Sequence, residues 1–321
     1  MRSTVKKKNT EISNEEKILS CEKISPIAQQ SISSQQPVQL RIQTKRQDLL
    51  MDGKVMRASY NTSTKERFVH VTHVIQGQAQ EPQRFIIGVQ ATEKDRNGEW
   101  GASLSILDAL TPLPELQHVL VSADAGLCVE KYAKWLSVSG FFYLFRIKQN
   151  AGYIFEKVCQ WAEDERKRRP NGDFFESARI SGSQVHSRRL WRIPGLQHSI
   201  FPGITEGFMI EKIRLDQESS PELQYYITSE PQCAWSAQEI SHRILGHWDT
   251  ETGVFGTKDR TFSEDSVRYK HLKGALAHVS LINFALNCLW APVFKSFWNP
   301  NAPVSHRIRF FQDNPDYLPF F

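Results

Sequence analysis

The sequence predicts an α/β fold: a mixed β-sheet flanked by helices, with a β-rich insertion before the last functional helix. Three observations carry this. Between Asp48 and Val89 the runs LLMDG, RFVHVTHVI and RFIIGVQ are short, β-rich and separated by polar turns. FVHVTHVI alternates apolar and polar residues, as a half-buried antiparallel strand does. Next, VLVSAD and FFYLFRI flank the amphipathic segment CVEKYAKWLSVSG. A strand–helix–strand unit this compact implies parallel pairing through a crossover. Last, strand-like segments give way to long helical patterns towards the C-terminus.

In order along the chain, residues 1–46 are polar and rich in Gln and Ser, without a sustained apolar period, and are expected to be disordered or loosely attached. Residues 47–291 are expected to form the main domain. There, LLMDG is the first of three meandering strands. ASLSILDALTPL reads as a helix stopped by Pro112. VLVSAD is a buried strand, and the helix after it is closed by Gly140. YIFEKVCQWAEDERKRR is a helix with Ile154, Phe155, Val158 and Trp161 at helical spacing. Its basic end suits the helix dipole as well as it would suit a phosphate. Residues 171–230 are the β-rich insertion, with SQVHSRRLWRI, GFMIEKIRL and LQYYITS as strands. AQEISHRILGHW and HLKGALAHVSLINFALNCLW are helices, and 292–321 reads as an irregular tail.

Composition narrows the function classes. The chain has 321 residues, of which 40% are hydrophobic, enough for one large domain with an insertion. No apolar run approaches eighteen residues, so no membrane span is expected, and MRSTVKKKNTEISNEEK lacks the apolar stretch of a secretory signal. The net charge of +5 is compatible with a nucleic-acid partner without demanding one. The five cysteines are scattered with no CxxC pair, which suggests neither a zinc site nor a disulfide framework. A cytoplasmic setting is expected.

The candidate chemistry rests on three carboxylates. Asp52 and Asp124 each close a short apolar stretch, and Glu251 lies in a helical segment. Carboxylates at strand exits are held rigidly with their side chains free. Such a set suits hard, oxygen-seeking cations such as Mg²⁺ or Mn²⁺. A paired-metal site of this kind stabilises both the attacking and the leaving oxygen of a phosphoryl transfer. Taken alone, Asp52 before Gly53 would be read as a turn residue and Asp124 as a helix N-cap.

The wording around these positions adds to that reading. MDGKVMRAS places Asp52, Gly53, Lys54, Arg57 and Ser59 in one motif. VSADAG holds Asp124 and Ala125, and YLFRIKQN ends in Lys148 and Asn150. GHWDTET followed by DRTFSEDSVR contains Gly246, His247, Trp248, Glu251, Asp259, Phe262, Glu264, Asp265 and Arg268. In this order, from about Asp48 to Leu289, the chain resembles the DDE transposases of bacterial insertion sequences of the H-repeat-associated type. The resemblance implies an RNase H-like fold with Asp52, Asp124 and Glu251 as catalytic metal ligands. It implies DNA, as transposon ends and target, for a partner, with a homodimer in the synaptic complex and no membrane. The chain departs from the family pattern in four places, one of them GVFGTKD, which lacks the family's Leu-His-Trp. Only 51 residues precede Asp52, a shorter region than is usual. SQVHSRR keeps only Arg188 of a basic stretch, and Thr250 and Thr252 flank the catalytic Glu.

Several basic and polar residues are candidate DNA contacts, each with a structural alternative. Lys54 and Arg57 are phosphate contacts or solvated surface charges. Lys148 and Asn150 emerge at the edge that carries Asp124. Arg188, in RRLWRI, suits backbone contact. His247, one turn before Glu251, orients that residue, touches phosphate or packs in the interior. Arg268 is a phosphate contact or an ion-pair partner. The function these imply is metal-dependent strand cleavage and strand transfer. A nuclease that cuts without joining and a DNA-binding remnant without catalysis remain as alternatives.

Overall fold

The apolar run before Asp52 forms β1 (Asp48–Met56), in which Leu49, Leu50 and Met51 are buried. It is buried on both faces because helical segments cover both sides of the nine-stranded sheet at this strand. The computed structural model describes residues 48–56, 69–77, 84–93, 96–113, 116, 118–169, 174–181, 184–196, 201–215, 220–269, 271–291 and 302–314. The expected disordered segment 1–46 and the candidate Arg57 lie outside them.

β2 (Val69–Gly77) and β3 (Arg84–Glu93) complete an antiparallel meander with β1. β4 (Leu120–Ala123) and β5 (Phe142–Ile147) join on the other side of β1, parallel to it and to each other. The helix between them, α2 (Glu130–Val138), supplies the expected crossover. It ends at Gly140, whose φ of 80° is the left-handed cap that glycine adopts without a Cβ penalty. The order β3-β2-β1-β4-β5 is the RNase H-like core, a mixed sheet flanked by helices, as expected.

The insertion extends this sheet and forms no separate body. β6 (Phe174–Ser181), β7 (Gln184–Pro194), β8 (Glu206–Arg214) and β9 (Glu222–Thr228) run antiparallel, and β9 pairs with β5. The expected strands are present, and β6 is an additional one.

One face of the sheet packs against α1 (Arg96–Leu110), α2 and α3 (Tyr153–Arg168), with Val121, Tyr143, Phe145 and Ile227 at the centre. α1 starts earlier than ASLSILDALTPL suggests. The polar turn RNGEW gives no apolar period, so tertiary packing decides that helix start.

The other face is covered by a nearly continuous helical rod. It comprises α4 (Ala237–Asp249), a π-helical turn (Thr250–Phe255) and α5 (Gly256–Phe262). Ser236 and Glu239 form a reciprocal capping box that starts α4. Leu120, Leu144, Phe208 and Tyr226 pack under Ile240 and Ile244. The buried pair Arg243–Asp48 ties α4 to the start of β1.

α6 (Leu272–Trp290) is 19 residues long with a mean hydropathy of 1.3, long and apolar enough by composition to cross a membrane. Here Ala275 and Val279 pack on Val69, Val71 and Ala91 of the sheet. The tail expected to be irregular contains α7 (Val304–Asp313), whose Phe311 packs near Leu289 of α6. Val304, Ile308 and Phe311 stand at helical spacing, a pattern that the surrounding Pro- and aromatic-rich residues obscure.

Candidate active site at the edge of the parallel strands

Strand register brings the two aspartates together. Met51 of β1 is opposite Ala123 of β4, so Asp52 and Asp124 are the next residues on adjacent parallel strands. β4 ends there, because Asp124 begins a short 3₁₀ turn, Ala125–Leu127. That exit leaves Asp124 half-exposed at the sheet edge, with Lys148 Nζ 3.7 Å from its Oδ2. Asp52 is still inside β1, opposite His73 of β2, and accepts a 2.8 Å hydrogen bond from the Gly53 amide.

Glu251 approaches from the helical rod. It is exposed and lies in the π turn that joins α4 to α5. π turns leave a backbone carbonyl without its usual partner, and they recur at functional sites. Here Thr250 N–H bonds to His247 O, which leaves Gly246 O to other donors. Buried Arg84, at the start of β3, donates to Gly246 O at 2.5 Å and to Thr250 Oγ1 at 2.9 Å. The rod is thereby held at the residue before Glu251. On the far side of the turn, Val254 and Phe255 pack on Leu50 and Ile75.

Asp52 senses the other carboxylates. Burial pushes the Asp52 carboxyl up to about 8, and the charges of Glu251, Glu99 and Asp124 add to it against the opposing Gly53 hydrogen bond. Removing a carboxylate charge here relieves both burial cost and repulsion. Between the ordinary 3.8 and about 8, the folded protein binds a proton at Asp52 that the unfolded chain does not. Stability of the cation-free protein therefore falls as pH rises through that window. Asp52→Asn is expected to raise the melting temperature at pH 7.5, with the gain vanishing near pH 3.8. A pH series of thermal melts in chelator checks this; an unchanged or lowered melting temperature at pH 7.5 refutes it.

The donor chemistry fits a hard divalent cation: carboxylate oxygens, one of them carrying an unrelieved repulsion that a cation would remove. Among the described residues, no group of three His, Cys, Asp or Glu side chains stands close enough together to enclose an ion.

The other candidates divide. Lys148 and Asn150 are exposed at the Asp124 edge, and Asn150 donates to Ala125 O at 3.0 Å, tying the β5 exit to the β4 exit. His247 takes the interior alternative. Its Nδ1 stands 3.3 Å from Ser122 Oγ, and burial, with Arg84 and Arg146, pushes its pKa down to about 4 despite Asp124. A neutral imidazole held by β4 is poorly suited to attract phosphate. Arg188 lies on β7 beside a groove shared with Lys212 and Trp248. Arg268 is exposed beyond α5.

Lys54 is a correction. Neither a phosphate contact nor a solvated charge, it is buried among three carboxylates: Asp259, Glu264 at 2.9 Å and Asp265 at 3.3 Å. Burial opposes its charge, but Asp259 and Glu264 outweigh this and hold its pKa above that of an ordinary lysine. Glu264 also pairs with fully buried Lys258 at 2.7 Å, and Lys258 Nζ reaches His73 Nε2 at 2.8 Å. Burial depresses His73 well below its usual range, so its ring nitrogen is available to accept from Lys258. The MDGK and DRTFSED motifs thus meet inside the protein. Glu264 and Asp265 thereby serve as internal partners of Lys54. Lys258 carries no local signal as their partner, because TGVFGTKD reads as a Gly-containing stretch without a periodic pattern.

Other residues at the site were not singled out by sequence reasoning: Arg84, Glu99 and Arg146. Arg146 follows Phe145, which is opposite Ala123, so it lies beside Asp124 in the sheet. Its guanidinium sits 4.9 Å from the centre of the Trp248 ring, and Trp248 Nε1 donates to Tyr226 at 3.2 Å.

The sheet thus sets two acidic residues side by side on adjacent parallel strands, with a third in a covering helical turn, which defines a carboxylate-centred site on an RNase H-like sheet. The chain belongs to the transposase DDE domain family, whose profile matches residues 43–288. It is 20% identical over 252 residues to the "H repeat-associated putative transposase YhhI" of Escherichia coli strain K12, covering 75% of this chain and 63% of that protein. YbfL of the same organism is 21% identical with the same coverage. An uncharacterized protein from the dhlA 3′ region of Xanthobacter autotrophicus is 25% identical over 186 residues, covering 56% of this chain and 59% of that protein. The chain thus spans less than two thirds of these relatives. Among solved structures it is similar to the piggyBac transposase in a synaptic complex with hairpin DNA, at 11% identity and a TM-score of 0.42, covering 82% of this chain and 51% of that one.

Proposed function

We propose that this chain is the catalytic core of a DDE transposase that cuts DNA at the ends of an insertion sequence and joins the freed 3′-hydroxyls to target DNA. The observation that carries this reading is the register of β1 and β4, which sets Asp52 beside Asp124, under a π turn bearing Glu251. Asp52, Asp124 and Glu251 would hold Mg²⁺ or Mn²⁺. When bound, such a pair of ions lowers the nucleophile's pKa and stabilises charge on the attacking and leaving oxygens.

The chain's own residues supply the rest. Lys148 balances Asp124 at the open edge, where a phosphate would arrive. Lys148, Asn150, Arg188 and Arg268 are the proposed DNA contacts; Arg57 is proposed on the motif alone. Water is the first nucleophile and the DNA 3′-hydroxyl the second, with no covalent enzyme intermediate. Two ends must be held together, so the working species is a homodimer, acting in the cytoplasm on chromosomal DNA.

The test is incubation of the protein with end-containing DNA and Mg²⁺, beside Asp124→Ala. Metal-dependent nicking followed by joined products, both absent in the variant, is the expected result. Nicking without joining would favour the nuclease reading. DNA binding without nicking would favour a remnant, and equal nicking by both proteins would sink the site assignment.

A further inference from the structure

A fourth carboxylate reaches the same sheet edge from the opposite face. Glu99 lies in the first turn of α1, which packs through Ile106 and Leu107 on the face that carries Leu49 and Met51. The π turn with Glu251 sits over the other face, on Leu50 and Ile75. Two glycines bring Glu99 close. A Cβ on Gly53, the residue after Asp52, would stand 2.5 Å from Glu99 Oε1. A Cβ on Gly126, two residues after Asp124, would stand 3.7 Å from Glu99 Oε2. The two oxygens of one side chain therefore face the backbone beside each aspartate. The space above Gly53 is also filled by the His70 ring, 2.3 Å from the same Cβ position. Only glycine leaves room for both groups.

We propose that Glu99 is the fourth carboxylate of the cation site, adding charge for a divalent ion from the sheet face opposite Glu251. This rests on reading the site as a divalent-cation centre. Oxygen donors behind the immediate ligands orient them and tune affinity, and their loss typically weakens metal binding by about 10–100-fold.

The experiment is Mn²⁺ titration of the full chain without DNA, followed by the electron paramagnetic resonance of free Mn²⁺. It compares the wild type, Glu99→Gln, Glu99→Asp and Asp124→Ala, each checked for an unchanged melting curve in chelator. Glu99→Gln keeps the side-chain shape, so a loss of affinity would report charge. The expected result is weakening of roughly tenfold or more in Glu99→Gln, partial recovery in Glu99→Asp, and weakening in Asp124→Ala. Wild-type affinity in Glu99→Gln beside a weakened Asp124→Ala would overturn the role of Glu99 and leave the site reading standing. Equal affinity in the wild type and Asp124→Ala, or no Mn²⁺ binding by the wild type, would overturn both. If Glu99→Gln melts early, Glu99→Asp decides: wild-type affinity there, with the carboxylate withdrawn by one methylene, counts against the proposal.

Discussion

Glu251→Gln is expected to abolish metal-dependent strand cleavage, by at least roughly 1000-fold or about 4 kcal/mol of transition-state stabilisation, without unfolding the protein. The side chain is exposed on the π turn and carries none of the packing that holds the turn. That packing belongs to Val254 and Phe255 beyond it and to Arg84 before it. A neutral, isosteric amide at an exposed site changes stability by no more than about 0.5 kcal/mol. The change is expected to be slightly favourable without cation, because Glu251 is the strongest of the charges that disfavour ionised Asp52. A cleavage assay with plasmid DNA carrying the insertion-sequence ends, alongside thermal melts, checks both halves. Full activity would remove Glu251 from the catalytic set. A large loss of stability would mean that it braces the turn instead.

Lys258→Met is expected to destabilise the fold by about 3–5 kcal/mol, since it leaves the fully buried carboxylate of Glu264 one cation short. Lys54 alone would then face Asp259, Glu264 and Asp265. Burial already depresses Lys258 to about 8, so this charge is retained against a desolvation cost and through its contacts with Glu264. Pairing the change with Glu264→Gln removes the uncompensated charge. The double variant is expected to be more stable than the sum of its single effects predicts, because the residues share one network. Urea unfolding of the four proteins gives the coupling. Additive effects, or a single-variant cost below about 1 kcal/mol, would show that the cluster is structurally idle.

Much of the architecture was legible because local patterns and tertiary demands agree. The β1 run is apolar on both sides of the strand because both sides are covered. Gly140 and the crossover around α2 are where turn chemistry and spacing put them, whereas FVHVTHVI, expected to be half-buried, has Thr72 and His73 fully buried because both faces of β2 are covered. Where local pattern is silent, the reading stopped short. The first turn of α1 is polar and Gly-containing, so the apolar pattern begins only at Ala102 and leaves Glu99 outside it. β6 forms by hairpin pairing with the adjacent β7, and α7 packs Phe311 near Leu289 of α6.

The catalytic carboxylates show the same division. Strand exits and motif wording pointed to Asp52, Asp124 and Glu251 from the sequence alone, because a short apolar run ending in an acid is a local signal. Their relative placement was not local. It depends on a parallel register between strands about seventy residues apart and on a π turn held by Arg84 from the edge of the sheet. Lys54 marks the boundary most clearly. Its neighbours in sequence make it look like a surface cation for DNA. Only the fold brings Asp259, Glu264 and Asp265 around it, 205 to 211 positions away, and turns a candidate contact into an internal clamp. One-dimensional order determines which residues are acidic, apolar or helical. Which charges meet, and in what dielectric, is decided when distant segments pack.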